Sequence, residues 1–413
     1  MSSAGKKIRR GKNGIPLRKH EYYRADQDSF RYKYKNSLGV WKEIKAPDIL
    51  TLRKREETIK AYKADGLRDY VTGDATINYV FDRYIAMKTE LKGRTRTQYL
   101  ITYDKYVRKY FGKKKIRDVM FSEVMEFYIE LLKKLALGTV EGVHSVLHPT
   151  FQLAVRDRVI RNNPADGAMS EARKKLSATA GIRHALSFEE TRAFLDYSKR
   201  PEYKRWHCLY TTMFGTGMRV GEVIGLRWDD VDFENNVISV NHSTSYYQKC
   251  DEDFKCGYEI TTPKTEAGIR TIPMLEEVRE ALLEEREYQD KVSGHCLFEI
   301  DGYTDFIFSN RMGKIHLPSG INRQIHRMVA NYNAEEEVRA AREKRKPVII
   351  PQFSCHVTRH TYCSRLCENG VNVAAIQNVM GHRDAQTTLN IYTEISEQKK
   401  QAMFTELNGK NVL

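Results

Sequence analysis

The chain has no CxxC pair: its seven cysteines are odd in number and scattered through 413 residues. That pattern favours reduced intracellular thiols over a disulfide framework. No apolar run approaches the ~18 residues that a membrane span needs, and Met1 is followed by SSAGKKIRR rather than an apolar signal core. The expectation is a soluble cytoplasmic protein without a membrane partner. No internal repeat appears. Acidic residues are the scarcer charge, 54 Asp and Glu against 69 Lys and Arg, for a formal net charge of +15. Residues 1–60 hold 17 Lys and Arg against 7 Asp and Glu, so ten of those charges sit at the N-terminal end. Such an end suits an acidic polymer, double-stranded DNA first among them, held by phosphate neutralisation that salt weakens.

The length predicts two or three domains, and composition shifts suggest where they divide. After a basic arm of about 20 residues, FRYKYK alternates strictly, which puts Phe30, Tyr32 and Tyr34 on one face of a strand and Arg31, Lys33 and Lys35 on the other. Residues 22–24 and 40–45 read as further strands. A helix after Pro47, capped by Asp48, is expected to cover the aromatic face with Leu50, Ile59 and Tyr62. A small sheet with cations on its open face fits a DNA groove.

Residues 65–74 read as a linker, and helices are expected at 77–91, 96–111, 122–136 and 139–159. Arg96, Thr97 and Tyr99 cluster at a helix start, where hydroxyls and backbone N–H groups can meet phosphate. Residues 170–183 read as a second linker. Beyond it, Ser187 and Glu190 form a capping box, and residues 237–240, 258–262 and 270–273 read as three short antiparallel strands. The stretch 243–257 is long for a hairpin loop, and no function is assigned to it. Residues 334–345 are nearly all charged or alanine and read as a solvated helix. The fold class is α+β and multidomain: a small N-terminal β-sheet plus helix, a helical bundle, and a mainly helical domain with a small antiparallel sheet.

The chemistry-bearing strings lie in the last 200 residues: GTGMRVGEVIGLRW with Arg219, HVTRH with His356, Arg359 and His360, MGHRD with His382, and the tyrosine of TLNIYTEI, Tyr392. Transfer of a phosphoryl group builds charge on non-bridging oxygens, and guanidinium forks grip two oxygens at once, a task suited to Arg219 and Arg359. A phenol with pKa near ~10 attacks only where a base or a cationic field helps it ionise, which His356 and His382 can supply. A departing 5′-oxygen needs a proton, and Lys264, in a turn of ITTPKTEAGIRTIPM, can donate one. HVTRH imitates the spacing of HExxH zinc sites but lacks the glutamate base; His356, His360, Cys363 and Cys367 remain the alternative, metal-binding reading.

At these strings, in this order, the chain resembles the tyrosine recombinase (lambda integrase-like) family, and within it the integrases of conjugative transposons. The resemblance spans residue 20 to the end. It implies catalytic roles for Arg219, Lys264, His356, Arg359, His382 and Tyr392, with no metal and no cofactor. It implies an arm-type DNA-binding domain at 1–70, a core-binding domain at 75–169 and a catalytic domain at 184–413. It further implies a DNA-associated protein of the bacterial cytoplasm that forms a homotetramer on crossover and arm-type sites, with accessory DNA-bending or excision proteins as possible partners. Ala402, Met403, Phe404 and Leu407 would form a small apolar face after Ser396, suited to docking either on a neighbouring protomer or back on its own chain. A type IB topoisomerase-like relaxing enzyme, or a catalytically silent DNA-binding regulator, are the rival readings.

Overall fold

The computed structural model describes residues 9–35, 41–64, 75–176, 184–263, 268–381 and 389. It divides into two compact units, residues 1–181 with 249–253, and residues 182–248 with 254–413.

In the first unit, β1 (Glu21–Arg24), β2 (Ser29–Lys35) and β3 (Trp41–Ala46) form an antiparallel sheet in the order β1-β2-β3. Register sets Tyr22 opposite Arg31 and Tyr32 opposite Ile44. The alternation in FRYKYK is realised: Phe30 and Tyr32 are buried while Lys33 and Lys35 are exposed. Helix α1 (Ile49–Ala64) covers the aromatic face, but through Ile49 and Leu52, whereas Leu50 is 75% exposed. The expected cap is present, the Asp48 carboxylate accepting from the Thr51 N–H at 2.8 Å; Ile49, Leu52 and Glu56, three and four apart, share the buried face, and Leu50, one residue on from Ile49, falls outside it.

The further described helices of this unit are α2 (Ile77–Met87), α3 (Gly93–Tyr103), α4 (Phe121–Leu132), α5 (Leu137–Arg156) and α6 (Ala168–Lys175). Their core is built on Phe81, Tyr103, Tyr128, Leu147 and Phe151. The last helix corrects the first part of the linker expected at 170–183, whose residues 177–183 lie outside the described residues. Gly167 turns the chain at φ 75°, and Ala168, Met169 and Ala172 are then buried in the bundle core.

The second unit contains α7 (Phe188–Ser198), α8 (Lys204–Thr216) and the short α9 (Val220–Ile224), followed by the strands β4 (Val231–Asp232) and β5 (Val237–Val240). Next come β6 (Ser243–Lys249), β7 (Lys255–Thr261) and β8 (Arg270–Pro273). The described residues of this unit add four more helices: α10 (Glu276–Tyr288), α11 (Pro318–Glu343), α12 (Cys355–Glu368) and α13 (Val373–Met380). The capping box at Ser187 and Glu190 is present.

One sheet runs β4-β5-β8, and β6 pairs with β7 apart from it. The expected three-strand sheet is therefore two sheets, and the stretch 243–257 is mostly strand rather than loop. Its residues STSYYQK are too polar to show a buried face, because only Thr244 among them is buried. Nor is the 334–345 segment wholly solvated, for Glu336 and Ala340 are 1% exposed, with Glu336 held by Arg339 and Arg345. Helix α8 packs against α10 and α12, and α12 against α13, which brings the arginine-bearing segments together.

Candidate active site

Arg219 follows the left-handed Gly217, which ends α8 at φ 61°, and precedes α9. A Cβ at Gly217 would lie 2.4 Å from Cδ1 of Tyr362, so both backbone angle and space require glycine here. The turn leaves the Arg219 side chain 44% exposed. Its Nη1 donates to Oε1 of Glu222 at 2.9 Å and its Nη2 donates to the carbonyl of Gly381 at 2.9 Å. A guanidinium has five N–H groups, so the fork can grip a further oxygen pair.

Arg359 lies on α12 and is only 4% exposed. Nη1 donates to the Gly217 carbonyl at 2.8 Å, and Nη2 donates to the Met380 carbonyl. Three strings distant in sequence thus meet: GTGMR supplies one guanidinium and an acceptor, HVTRH the second guanidinium, and MGH the acceptors for both. His356, in the first turn of α12, is exposed and His360 half-buried. The N-terminus of that helix is fixed by Asn322, whose Oδ1 accepts from the Cys355 N–H at 2.9 Å.

Sequence reasoning missed the base of the site. Arg270, on β8, is buried and donates through Nη2 to Oε2 of Glu222 at 2.8 Å and through Nε to the Val379 carbonyl at 2.6 Å. Alternation in RTIP could have located it, since Arg270 shares the buried face with Ile272. Glu222, 6% exposed, is the common acceptor of both arginines. Burial alone would raise its carboxyl, but the Arg270 hydrogen bond and charge, with help from Arg219, hold it below the usual carboxylate range. Burial, and then the charge of Arg219, pull Arg359 down to about 9, with Glu222 opposing. Three guanidiniums facing one carboxylate leave an excess of two positive charges. An anion placed there relieves that repulsion, which is the electrostatic demand of a phosphoryl-transfer transition state.

Lys264, His382 and Tyr392 lie outside the described residues, although His382 directly follows Gly381 and Lys264 lies between β7 and β8 in sequence. Cys363 and Cys367 are buried with Tyr362, Ile376 and Met380. Among the described residues no group of three or more His, Cys, Asp or Glu side chains is arranged to hold a metal ion.

The expected DNA contacts fare unevenly. Lys33 and Lys35 stand over the rings of Tyr22 and Trp41 at 5.3 and 5.4 Å. Arg31 is instead held by Glu43 and Gln27. Arg96 donates to the Ile85 carbonyl at 2.8 Å, and Tyr99 packs on the bundle core. Thr97 needs correction as a phosphate contact: it is 2% exposed, and its hydroxyl accepts from the Cys250 N–H at 3.2 Å.

The profile of the phage integrase family matches residues 184–399, more than half of the chain. The transposase from transposon Tn916 of Enterococcus faecalis is 27% identical over 418 residues, which cover 97% of this chain and 96% of that protein. The ICEBs1 integrase of Bacillus subtilis (strain 168) is 24% identical over 306 residues, covering 74% of this chain and 75% of the relative. Among solved structures, the Tn1549 transposon integrase in complex with a circular intermediate DNA superposes with a TM-score of 0.69 at 27% identity, covering 81% of this chain and 99% of that one. No helix among the described residues is long and apolar enough to cross a membrane. The chain belongs to the phage integrase family: it is a tyrosine recombinase, close to the integrases of conjugative transposons.

Proposed function

We propose that this chain excises and integrates a mobile element by cutting and rejoining DNA through a 3′-phosphotyrosine. The observation that carries the reading is the meeting of Arg219 and Arg359 at the last turn of α13, one residue before His382. In this reading the Tyr392 phenolic oxygen attacks the scissile phosphorus, with His356 and His382 assisting its loss of a proton. The bond from phosphorus to the 5′-oxygen breaks, and Lys264 gives that oxygen a proton. Arg219 and Arg359 offset the charge on the non-bridging oxygens. The phosphodiester energy is kept in the tyrosyl bond, so a partner strand's 5′-hydroxyl can reverse the step without ATP. The test is recombination of two paired sites on a plasmid, in EDTA and without nucleotide, which this function predicts. Relaxation of supercoils without any exchange of strands would instead select the topoisomerase reading.

Residues 1–70 are assigned to arm-type sites, 75–169 to one side of the crossover duplex and 184–413 to catalysis. Support comes from the exposed Lys33 and Lys35 on the open sheet face. Removal of residues 1–70 should abolish binding to the distant class of site while cleavage of a bare crossover duplex persists; unchanged binding to every site would refute the assignment. Exchange of two pairs of strands requires four active sites, hence a homotetramer on DNA. The apolar residues Met403, Phe404 and Leu407 suit a groove of about 650 Å³ in the second unit, lined by Phe188, Phe214, Leu275, Val278 and Tyr362.

A further inference from the structure

The last turn of α13 is held in an unusual way. Three consecutive carbonyls, Val379, Met380 and Gly381, each accept from a different arginine: Arg270 on β8, Arg359 on α12 and Arg219 before α9. Helix C-termini leave carbonyls without intrahelical partners and carry partial negative charge, so cations gather there readily. The three differ in access. The Arg219 side chain is 44% exposed, while that of Arg270 is 1% exposed and cannot reach a DNA phosphate. Arg270 has two further partners, Glu222 and the Gly268 carbonyl, the latter accepting from Nη1 at 3.2 Å. It donates through Nη1 and Nη2 to the two oxygens of Glu222, at 3.2 and 2.8 Å, and Glu222 in turn accepts from the side chain and the N–H of Arg219.

We infer that Arg270 is a positioning residue for DNA cleavage: a buried fork that sets the orientation of Arg219 through Glu222 and anchors the α13 turn preceding His382. The inference rests on the assignment of Arg219 to the scissile phosphate. A planar fork is needed for this. Glu222 presents two oxygens and Val379 a third acceptor in another direction, and a guanidinium reaches all three while remaining charged. Lysine at 270 would keep the charge beside Glu222 but, as a single ammonium centre, would lose the divided geometry. The consequence is a shift in where Arg219 and His382 stand, felt in the chemical step rather than in DNA binding.

The test is a double-mutant cycle in single-turnover adduct formation on a nicked crossover duplex, with the full chain and saturating DNA. Arg270→Lys should cleave about tenfold or more slowly, with unchanged DNA affinity and a cooperative thermal melt near that of the wild type. Added to Arg219→Lys, it should cost little more, because both changes act on the same guanidinium. Losses that multiply in full, or a loss of rate matched by an equal loss of DNA affinity, would overturn the inference. If Arg270→Lys fails to fold, the pair Glu222→Gln with Arg270→Met removes both buried charges. That pair must also cleave slowly, and a wild-type rate would overturn the inference. Should Arg219→Lys itself cleave normally, the assignment of Arg219 fails; slow Arg219→Lys beside normal Arg270→Lys sinks only the role of Arg270.

Discussion

Arg219 and Arg359 do different work although both are guanidiniums in one site. The first is partly exposed and reaches outward, and the second is buried with both of its bonds to carbonyls. Arg219→Lys keeps the charge but not the bidentate grip, so cleavage should fall by roughly two or more orders of magnitude while DNA affinity changes little; single-turnover rates at saturating DNA check this. Glu222 gives a prediction in pH. Its folded-state value is depressed, so its stabilising effect is complete above the ordinary carboxylate range and is lost as pH falls through the folded value. The difference in Tm between wild type and Glu222→Gln should therefore shrink below about pH 4. A difference that stays constant through acid would contradict the buried ion-pair account. Arg219, His356 and Arg359 were legible in the sequence because their motifs co-occur in order. Arg270 was not: alternation in RTIP sets it on the buried face with Ile272, but a four-residue strand does not say which groups that face meets.

At the scale of elements, what could be read depended on contrast between faces. FRYKYK alternates aromatic with basic residues, and the strand emerged with its faces assigned correctly. Strand β6 lacks that contrast and was read as loop, and α6 was hidden in a basic stretch whose few apolar residues nevertheless reach the bundle core. Helix α1 and its Asp48 cap were found, but with apolar residues at both 49 and 50 the sequence did not say which of the two turns inward. The open face of the N-terminal sheet keeps Lys33 and Lys35 exposed, with Arg31 neutralised by Glu43. Replacing Lys33 and Lys35 by Gln should lower the slope of log affinity against log salt at arm-type sites by about 2, one phosphate contact per lysine. An unchanged slope would mean that these cations face solvent only. Arg31→Gln is expected to affect the sheet's stability more than its salt slope.

For the whole molecule, family membership and the α+β organisation follow from the ordering of four motifs, whereas assembly depends on residues beyond the catalytic strings. Truncation before Ser396 leaves Tyr392 in place and removes Met403, Phe404 and Leu407. It should weaken tetramer formation on DNA, measured by analytical ultracentrifugation with a crossover duplex, and reduce recombination more than first-strand cleavage. Tetramers at wild-type strength would refute the docking of this segment on a neighbouring protomer. The central claim is the covalent chemistry, and the measurement that reaches it most directly is adduct trapping on a nicked duplex whose departing strand is lost after cleavage. The wild-type chain should accumulate a DNA adduct attached at Tyr392, in EDTA and without nucleotide, whereas Tyr392→Phe should bind the same duplex and form none. Adduct formation by Tyr392→Phe would place the nucleophile elsewhere and contradict the account.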